Sequence, residues 1–221
     1  HYPLRRQRQM CIRDSLWPYR MEWTLKHYDI TVSGGYAPLW TSLYLSLAAA
    51  SGGVLLLFFL TFGVCRIPRA WAKLVYLVSV LPVGVPGLVL GLSYIFAFNS
   101  PATPLYALYG SAALIALCNF YHYHTQGFLT MMTGMRAVPQ ALEEAVSCLG
   151  GGTWQVLRDA VLPQIAPTVL GVFFFLFMRS MVTLSAVIFL VTPSVSVAPV
   201  SVLRLDEAGF VSQAAAYSTL I

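Results

Sequence analysis

Charge is what this sequence has least of. Only 10% of its 221 residues are charged, whereas 58% are hydrophobic and the mean hydropathy is +0.72. Soluble domains carry roughly a quarter of their residues as charges, so the composition excludes an ordinary soluble domain. The uncharged residues also form long runs at 39–65 and 74–98, and about 20 apolar residues cross a bilayer as a helix. The sequence therefore predicts an all-α protein that crosses the membrane several times.

Motifs for covalent chemistry are lacking too. There is no GxxxxGK[ST] loop for nucleotide phosphates, no HExxH motif and no recognisable pair of nucleophile and base. The cysteines that follow residue 15 show no CxxC spacing, which argues against a disulfide framework or a zinc site: Cys65, Cys118 and Cys148. These absences argue against an enzyme, and we expect no catalytic residues, metal or cofactor in this chain.

Residues 1–15 are predicted to be foreign to the protein. The stretch 10–15 resembles a translated adapter from sequencing-library preparation, and the arginine-rich run before it differs in character from the apolar remainder of the chain. Without residues 1–15, nine basic and seven acidic residues remain, which leaves a net charge of +2. A nucleic-acid partner is therefore not expected. The alternative reading of 1–15 is a basic arm at the membrane surface.

The hydrophobic runs predict a polytopic helix bundle. We expect an extramembrane lead-in at 16–38, a transmembrane domain at 39–221 and a chain truncated at both ends. The predicted spans are 39–65, 74–98, 105–122 and 165–190, with the start of a fifth at 211–221 and a loop at 123–163. Basic residues are in excess in the loops after the first and third spans, which predicts that the 123–163 loop is cytoplasmic.

The loop carries two short amphipathic patterns. Pro139 suits the first position of a helix and Gly150 suits the residue just past its end. Apolar residues with helical spacing lie between them: Leu142, Ala145, Val146 and Leu149. After a glycine turn, a second short helix is predicted from Thr153, which can act as its cap, to Pro163, which should stop it. On this pattern alone, the hairpin is either an interfacial helix pair or a docking element.

The spacing Glu144-Ala145-Val146, Gly150 and Leu162-Pro163 resembles the cytoplasmic "EAA" loop of permeases in binding-protein-dependent ABC importers. Val146 and Ala160 depart from that pattern, each by a modest apolar change. The resemblance extends over about 38–221 and implies a type I importer permease in the bacterial inner membrane. The stretches 98–101, 108–110, 183–190 and 206–209 resemble permeases for ferric iron or 2-aminoethylphosphonate, many of which are double-length chains.

The resemblance also implies the partners. A dimer of ATPase subunits would bind ATP and Mg²⁺, and a periplasmic solute-binding protein would deliver the solute. A second permease half would complete the pathway through the lipid bilayer, and the solute would cross it by alternating access. The residues expected to couple to the ATPase are Glu143, Glu144, Ala145, Gly150, Leu162 and Pro163. The two glutamates could instead simply complement the helix dipole. The competing function is a secondary transporter or another polytopic protein without an ATPase, although no predicted span contains an acidic residue.

Candidate pathway residues come from two spans. Arg179 lies inside the predicted fourth span, where a charge is costly and should face the bundle interior or a water-filled path. Pro82, Pro86 and Gly87 would bend or break the second span. The alternatives are a structural partner for Arg179 and simple helix packing for the glycines. The pair His122 and His124 does not share a helix face, so an aromatic belt at the membrane surface is favoured over a metal site.

Overall fold

The computed structural model describes residues 25–30, 34–100, 104–193 and 195–221, and within them the regular structure is helical, without strands. The proposed foreign segment 1–15 lies outside the described residues. The main helices are α1 (Ala37–Val64), α2 (Arg69–Val80), α3 (Gly87–Phe98), α4 (Ala112–Arg136), α5 (Gln140–Cys148), α6 (Thr153–Val182), α7 (Ala198–Glu207) and α8 (Val211–Ser218). The all-α prediction is confirmed.

Helices α1, α4 and α6 pack against one another and form the centre of the bundle. Their buried side chains make one apolar cluster, which includes Leu57, Phe128 and Val172. Glycines let the helices approach closely, as small residues do in membrane bundles. A Cβ on Gly53 would lie 2.5 Å from the Phe120 ring. The outer side of α1 stays apolar and exposed, which suits contact with lipid tails.

The predicted second span is broken, as its prolines indicated. It starts earlier than predicted, at Arg69, and continues through a 3₁₀ turn at Leu81–Gly84 into α3, with a bend of 107° between the two parts. Pro82 and Pro86 lack the amide hydrogen that a continuous helix needs. The bend therefore falls where the prolines lie, as predicted, and only the predicted start of the span at 74 is corrected, to Arg69.

The third helix differs most from its predicted bounds. It begins at Ala112, where the Ser111 hydroxyl caps it by accepting a hydrogen bond from the Leu114 amide at 3.3 Å. It continues past the predicted end at 122 as far as Arg136. Average polarity rises after 122, but Phe128 and Met131 keep one face buried in the core. A polar but amphipathic stretch was thus misread as loop, and the loop is shorter than 123–163.

The fourth predicted span, 165–190, is displaced toward the amino terminus. Helix α6 runs from Thr153 to Val182 without a stop at Pro163, and residues 183–197 contain no regular helix among those described. A π-helical turn at Val156–Val161 precedes Pro163 and changes the hydrogen-bond register where proline removes a donor. The predictions that Pro163 stops a separate helix and that the span reaches 190 are therefore wrong.

Two described helices, α1 and α6, are long and apolar enough to cross a membrane, and the bent α2–α3 pair makes a third if it counts as one span. Helix α4 is long but more polar. The predicted start of a fifth span at 211–221 corresponds to the short helix α8, which packs on α7 through the buried Tyr217 and Leu205.

Candidate functional site

The loop between α4 and the buried part of α6 forms a compact hairpin, here called the coupling element (residues 137–161). Helix α5 ends at Cys148, and Gly150 follows with φ of +82°. The Gly150 amide donates to the Ser147 carbonyl at 3.0 Å, and the Gly151 amide donates to the Val146 carbonyl at 2.9 Å. These two bonds define a Schellman motif, which satisfies the last carbonyls of a helix and favours glycine at the left-handed position.

The adjacent glycines are required for different reasons. A Cβ at Gly150 would meet no atom within 4 Å, so only its backbone conformation selects glycine. At Gly151 a Cβ would lie 2.6 Å from Val146 Cγ1, so the close packing of the turn on α5 selects it. The Gly152 amide then donates to Gln155 Oε1 at 2.7 Å, and α6 begins at Thr153. The predicted cap at Thr153 is replaced by Gly152 and Gln155.

Helix α5 has one face on the protein and one face free. Val146 is half-buried against the core that includes Val156 and Val161. Leu149 is 89% exposed and Trp154, across the turn, is 66% exposed. Apolar side chains of this size rarely stay in water without a partner when they are clustered. The predicted apolar stripe is therefore divided between the protein core and an open surface.

The two glutamates of α5 have different surroundings. Glu143 Oε2 lies 2.6 Å from Arg66 Nη2, at the end of α1, and both side chains are about a third exposed. Glu144 is exposed and accepts a hydrogen bond from Gln140 Nε2 at 2.9 Å, one turn earlier on the same helix. An ion pair this exposed contributes about 0–1 kcal/mol to stability. Glu143 is tied to the bundle, whereas Glu144 projects toward solvent.

The remaining predicted coupling residues lie in or beside this hairpin. Ala145 is exposed on α5 beside Glu144. Leu162, 41% exposed, and Pro163 lie in α6 just after the π turn. The structure thus brings the motif residues to one end of the bundle.

A second candidate region, here called the polar crossing, lies where α3 begins and the non-helical segment 183–190 passes it. A Cβ on Gly87 would lie 2.4 Å from Ser185 Oγ and 3.2 Å from the His122 ring. A Cβ on Gly91 would lie 2.4 Å from the Ala186 carbonyl oxygen. Non-helical backbone at membrane depth is tolerated only inside protein or along a water-filled cavity. Of the predicted pathway prolines, Pro82 is buried and Pro86 is exposed.

Arg179 lies in the last turn of α6, three residues before the helix ends, and not in mid-span as predicted. There its charge complements the negative end of the helix dipole. The side chain is exposed, with its guanidinium carbon 5.5 Å from the Tyr123 ring centroid and 5.8 Å from that of Phe175. The Thr183 hydroxyl donates to the Arg179 carbonyl at 2.5 Å. The guanidinium therefore lies over two aromatic rings while its side chain stays exposed.

The two histidines lie on different sides of α4. His124 is buried and stacks on Phe128, whereas His122 is half-buried beside Gly87 at the polar crossing. Within the described ranges, no group of three or more histidine, cysteine or acidic side chains could hold a metal ion. His124 is thus a core residue, and His122 belongs with the crossing.

Sequence reasoning missed two functional candidates. Arg66 appeared only as one of several basic loop residues, because its partner lies 77 positions away. Asn119 donates to Ser180 Oγ at 2.8 Å inside the bundle, between α4 and α6. A polar residue inside an apolar run was the available signal for Asn119, whereas nothing in the sequence could have paired Arg66 with Glu143.

Comparison with known proteins agrees with this geometry. Residues 53–220 match the family described as binding-protein-dependent transport system inner membrane component. A ferric transport system permease protein of Actinobacillus pleuropneumoniae is 31% identical over 67% of the chain, and a provisionally named ferric permease of Haemophilus influenzae is 32% identical over 80%. The chain spans only 21% and 28% of the lengths of these two relatives.

More distant similarities point the same way. A protein of Salmonella typhimurium with the provisional name 2-aminoethylphosphonate transport system permease protein is 25% identical over 69% of the chain, which covers 56% of that relative. The crystal structure of a bacterial ABC transporter involved in alginate import shares the fold, with a TM-score of 0.71 at 15% identity over 99% of this chain and 83% of that one. The chain belongs to the family of inner membrane components of binding-protein-dependent transport systems, the permease subunits of ABC importers.

Proposed function

We propose that this chain forms part of a permease that docks an ATP-hydrolysing subunit through the coupling element and moves a solute inward by alternating access. The observation that carries the proposal is the free face of the hairpin. Leu149 and Trp154 stand exposed on a turn that hydrogen bonds hold in place, and Glu144 projects beside them. Such a rigid, partly apolar surface with acidic groups suits a protein partner.

The partners follow from the family. A second permease half and a periplasmic binding protein would complete the importer, and the chain's short coverage of its relatives leaves room for more permease sequence. A solved transporter that shares this fold was crystallised with a periplasmic protein that carries an alginate pentasaccharide. That complex supports the same kind of partner here. ATP and Mg²⁺ would bind the ATPase subunits, not this chain.

The solute we propose is an anion or an anion-bound ferric ion. The two groups of relatives are named for the transport of ferric iron and of 2-aminoethylphosphonate, and the second of these is an organic anion. Arg179, with Tyr123 and His122 nearby, supplies the positive and hydrogen-bonding groups that an anion would meet at the polar crossing. Arginine binds phosphonate-like groups through two parallel hydrogen bonds.

The docking proposal is tested by changing Leu149. Its side chain is 89% exposed, so Leu149→Glu should leave the fold intact while it places a charge in the proposed interface. We expect the permease to be produced and inserted normally but to lose the ATPase subunit on purification, whereas Leu149→Met should retain it. Retention of the ATPase by Leu149→Glu at wild-type stoichiometry would contradict the proposal.

A further inference from the structure

Arg66, the second residue after α1, is fixed by three contacts. Its Nη2 lies 2.6 Å from Glu143 Oε2 on α5. Its Nη1 donates to the Phe62 carbonyl at 3.4 Å, and its guanidinium carbon lies 3.6 Å from the centroid of the Phe62 ring. The carbonyl belongs to the last turn of α1, where carbonyls lack helical partners. The Arg66 guanidinium is therefore oriented by α1, and its Nη2 atom is presented to Glu143 of α5.

The ion pair joins the coupling element to the helix at the centre of the bundle. Helix α5 otherwise packs on its own hairpin, through Val146 against the start of α6. Helix α1 packs along both α4 and α6. By contrast, the exposed pair of Arg158 and Asp159, 3.8 Å apart, joins neighbouring residues of one helix. Only a contact between elements can pass a displacement of α5 to α1.

We propose that Arg66 is a positioning residue whose ion pair with Glu143 transmits movement of the docked coupling element to α1. The inference rests on the proposed docking of an ATPase at α5. When the partner moves the hairpin, α6 follows through the chain itself, and α1 follows through Arg66. Helices α1 and α6 then move together, and the bundle rotates as a rigid body. Without the pair, movement of α5 would reach α1 only indirectly, through the packing of α1 on α4 and α6.

The proposal separates two roles for adjacent glutamates. Glu144 faces the partner, and Glu143 faces the permease. Because the pair of Arg66 and Glu143 is partly exposed, it adds little to folding stability. Its loss should therefore leave a folded permease that still binds the ATPase. What should change is the amount of solute moved for each ATP hydrolysed.

The test is a charge exchange in the complete transporter, reconstituted in proteoliposomes with its binding protein. Uptake and ATP hydrolysis are measured for Arg66→Gln, Glu143→Gln and the double exchange of Arg66→Glu with Glu143→Arg. We expect each single variant to retain the ATPase subunit but to move about fivefold less solute per ATP, the size of a typical coupling between contacting residues. The exchange should restore the ratio to within about twofold.

Arg69→Gln is the matched control, since Arg69, at the start of α2, is a nearby arginine that is exposed and makes no ion pair within the described ranges. It should leave the ratio unchanged. If Arg66→Gln fails to assemble, Arg66→Lys, which keeps the charge, should assemble and couple normally. Uncoupling by Arg66→Lys would overturn the ion-pair role.

The outcomes distinguish this inference from the docking it rests on. If Leu149→Glu removes the ATPase while the single variants keep the wild-type ratio of uptake to hydrolysis, only the positioning role is wrong. A double exchange that is no better than the single variants would also overturn it. If Leu149→Glu keeps the ATPase bound, the docking proposal itself fails.

Discussion

The coupling element and the polar crossing both depend on glycine, and they use it for different reasons. In the coupling element the glycines serve their own turn, since Gly150 adopts φ of +82° and closes hydrogen bonds within five residues. At the crossing, Gly87 and Gly91 make room for Ser185 and Ala186, about 95 positions away in the chain. Glycine in the first region is a conformational requirement, and in the second it is a spatial one.

The largest effect is expected at Arg179, which lies beside the polar crossing. Arg179→Leu should abolish uptake, because the positive charge proposed to meet the anion is lost. Assembly should be retained, since the contacts of the guanidinium with the Tyr123 and Phe175 rings, at 5.5 and 5.8 Å, are exposed and such contacts contribute about 0.5–1 kcal/mol. Arg179→Lys should retain part of the uptake, since the charge remains but bidentate recognition is lost. Uptake assays in vesicles with matched permease levels measure both. Normal uptake by Arg179→Leu would remove this residue from the pathway.

Gly91→Ala probes the spatial requirement. The new Cβ would lie 2.4 Å from the Ala186 carbonyl oxygen, so a backbone segment must shift. We expect a destabilisation of about 1–3 kcal/mol, the usual cost of overpacking, seen as a lower unfolding temperature in detergent. Gly171→Ala is the control, since its Cβ would meet nothing within 4 Å in the middle of α6. Equal stability of the two variants would show that the crossing is not tightly packed.

Gly150 probes the conformational requirement. Gly150→Val has space but must adopt a left-handed backbone conformation, which costs roughly 1–2 kcal/mol. The hairpin should then distort and uptake per ATP should fall, while membrane insertion remains normal. Asparagine tolerates the left-handed region, so Gly150→Asn should couple nearly as well as the wild type. If valine and asparagine impair coupling equally, side-chain bulk at the interface, and not the turn, is responsible.

The sequence was informative where structure is local. Proline positions located the break in the second span, and the spacing of Glu144 and Gly150 located a helix and its terminating turn. The same reasoning failed at α4, because the polar average after residue 122 concealed a buried face with Phe128. It also failed at Pro163, where a π turn lets α6 continue.

Contacts between distant segments could not be predicted from the sequence. The pairing of Arg66 with Glu143 depends on how α1 and α5 meet, and the proximity of Gly87 to Ser185 depends on where the 183–190 segment passes. Nothing in the composition of these segments indicates which other segment each one contacts. Glu143 and Glu144 are adjacent in the sequence, and the difference between their contacts likewise appears only in the structure.

The central claim, that the free face of α5 docks an ATPase, is tested most directly at Cys148. This native cysteine is exposed at the end of α5. In a chain that begins at residue 16, with Cys65 replaced by serine and Cys118 buried, a maleimide added to inside-out membrane vesicles should label Cys148 rapidly when the ATPase has been stripped away. Rebinding of the ATPase should protect it. Labelling that is equally fast with and without the bound ATPase would contradict the account.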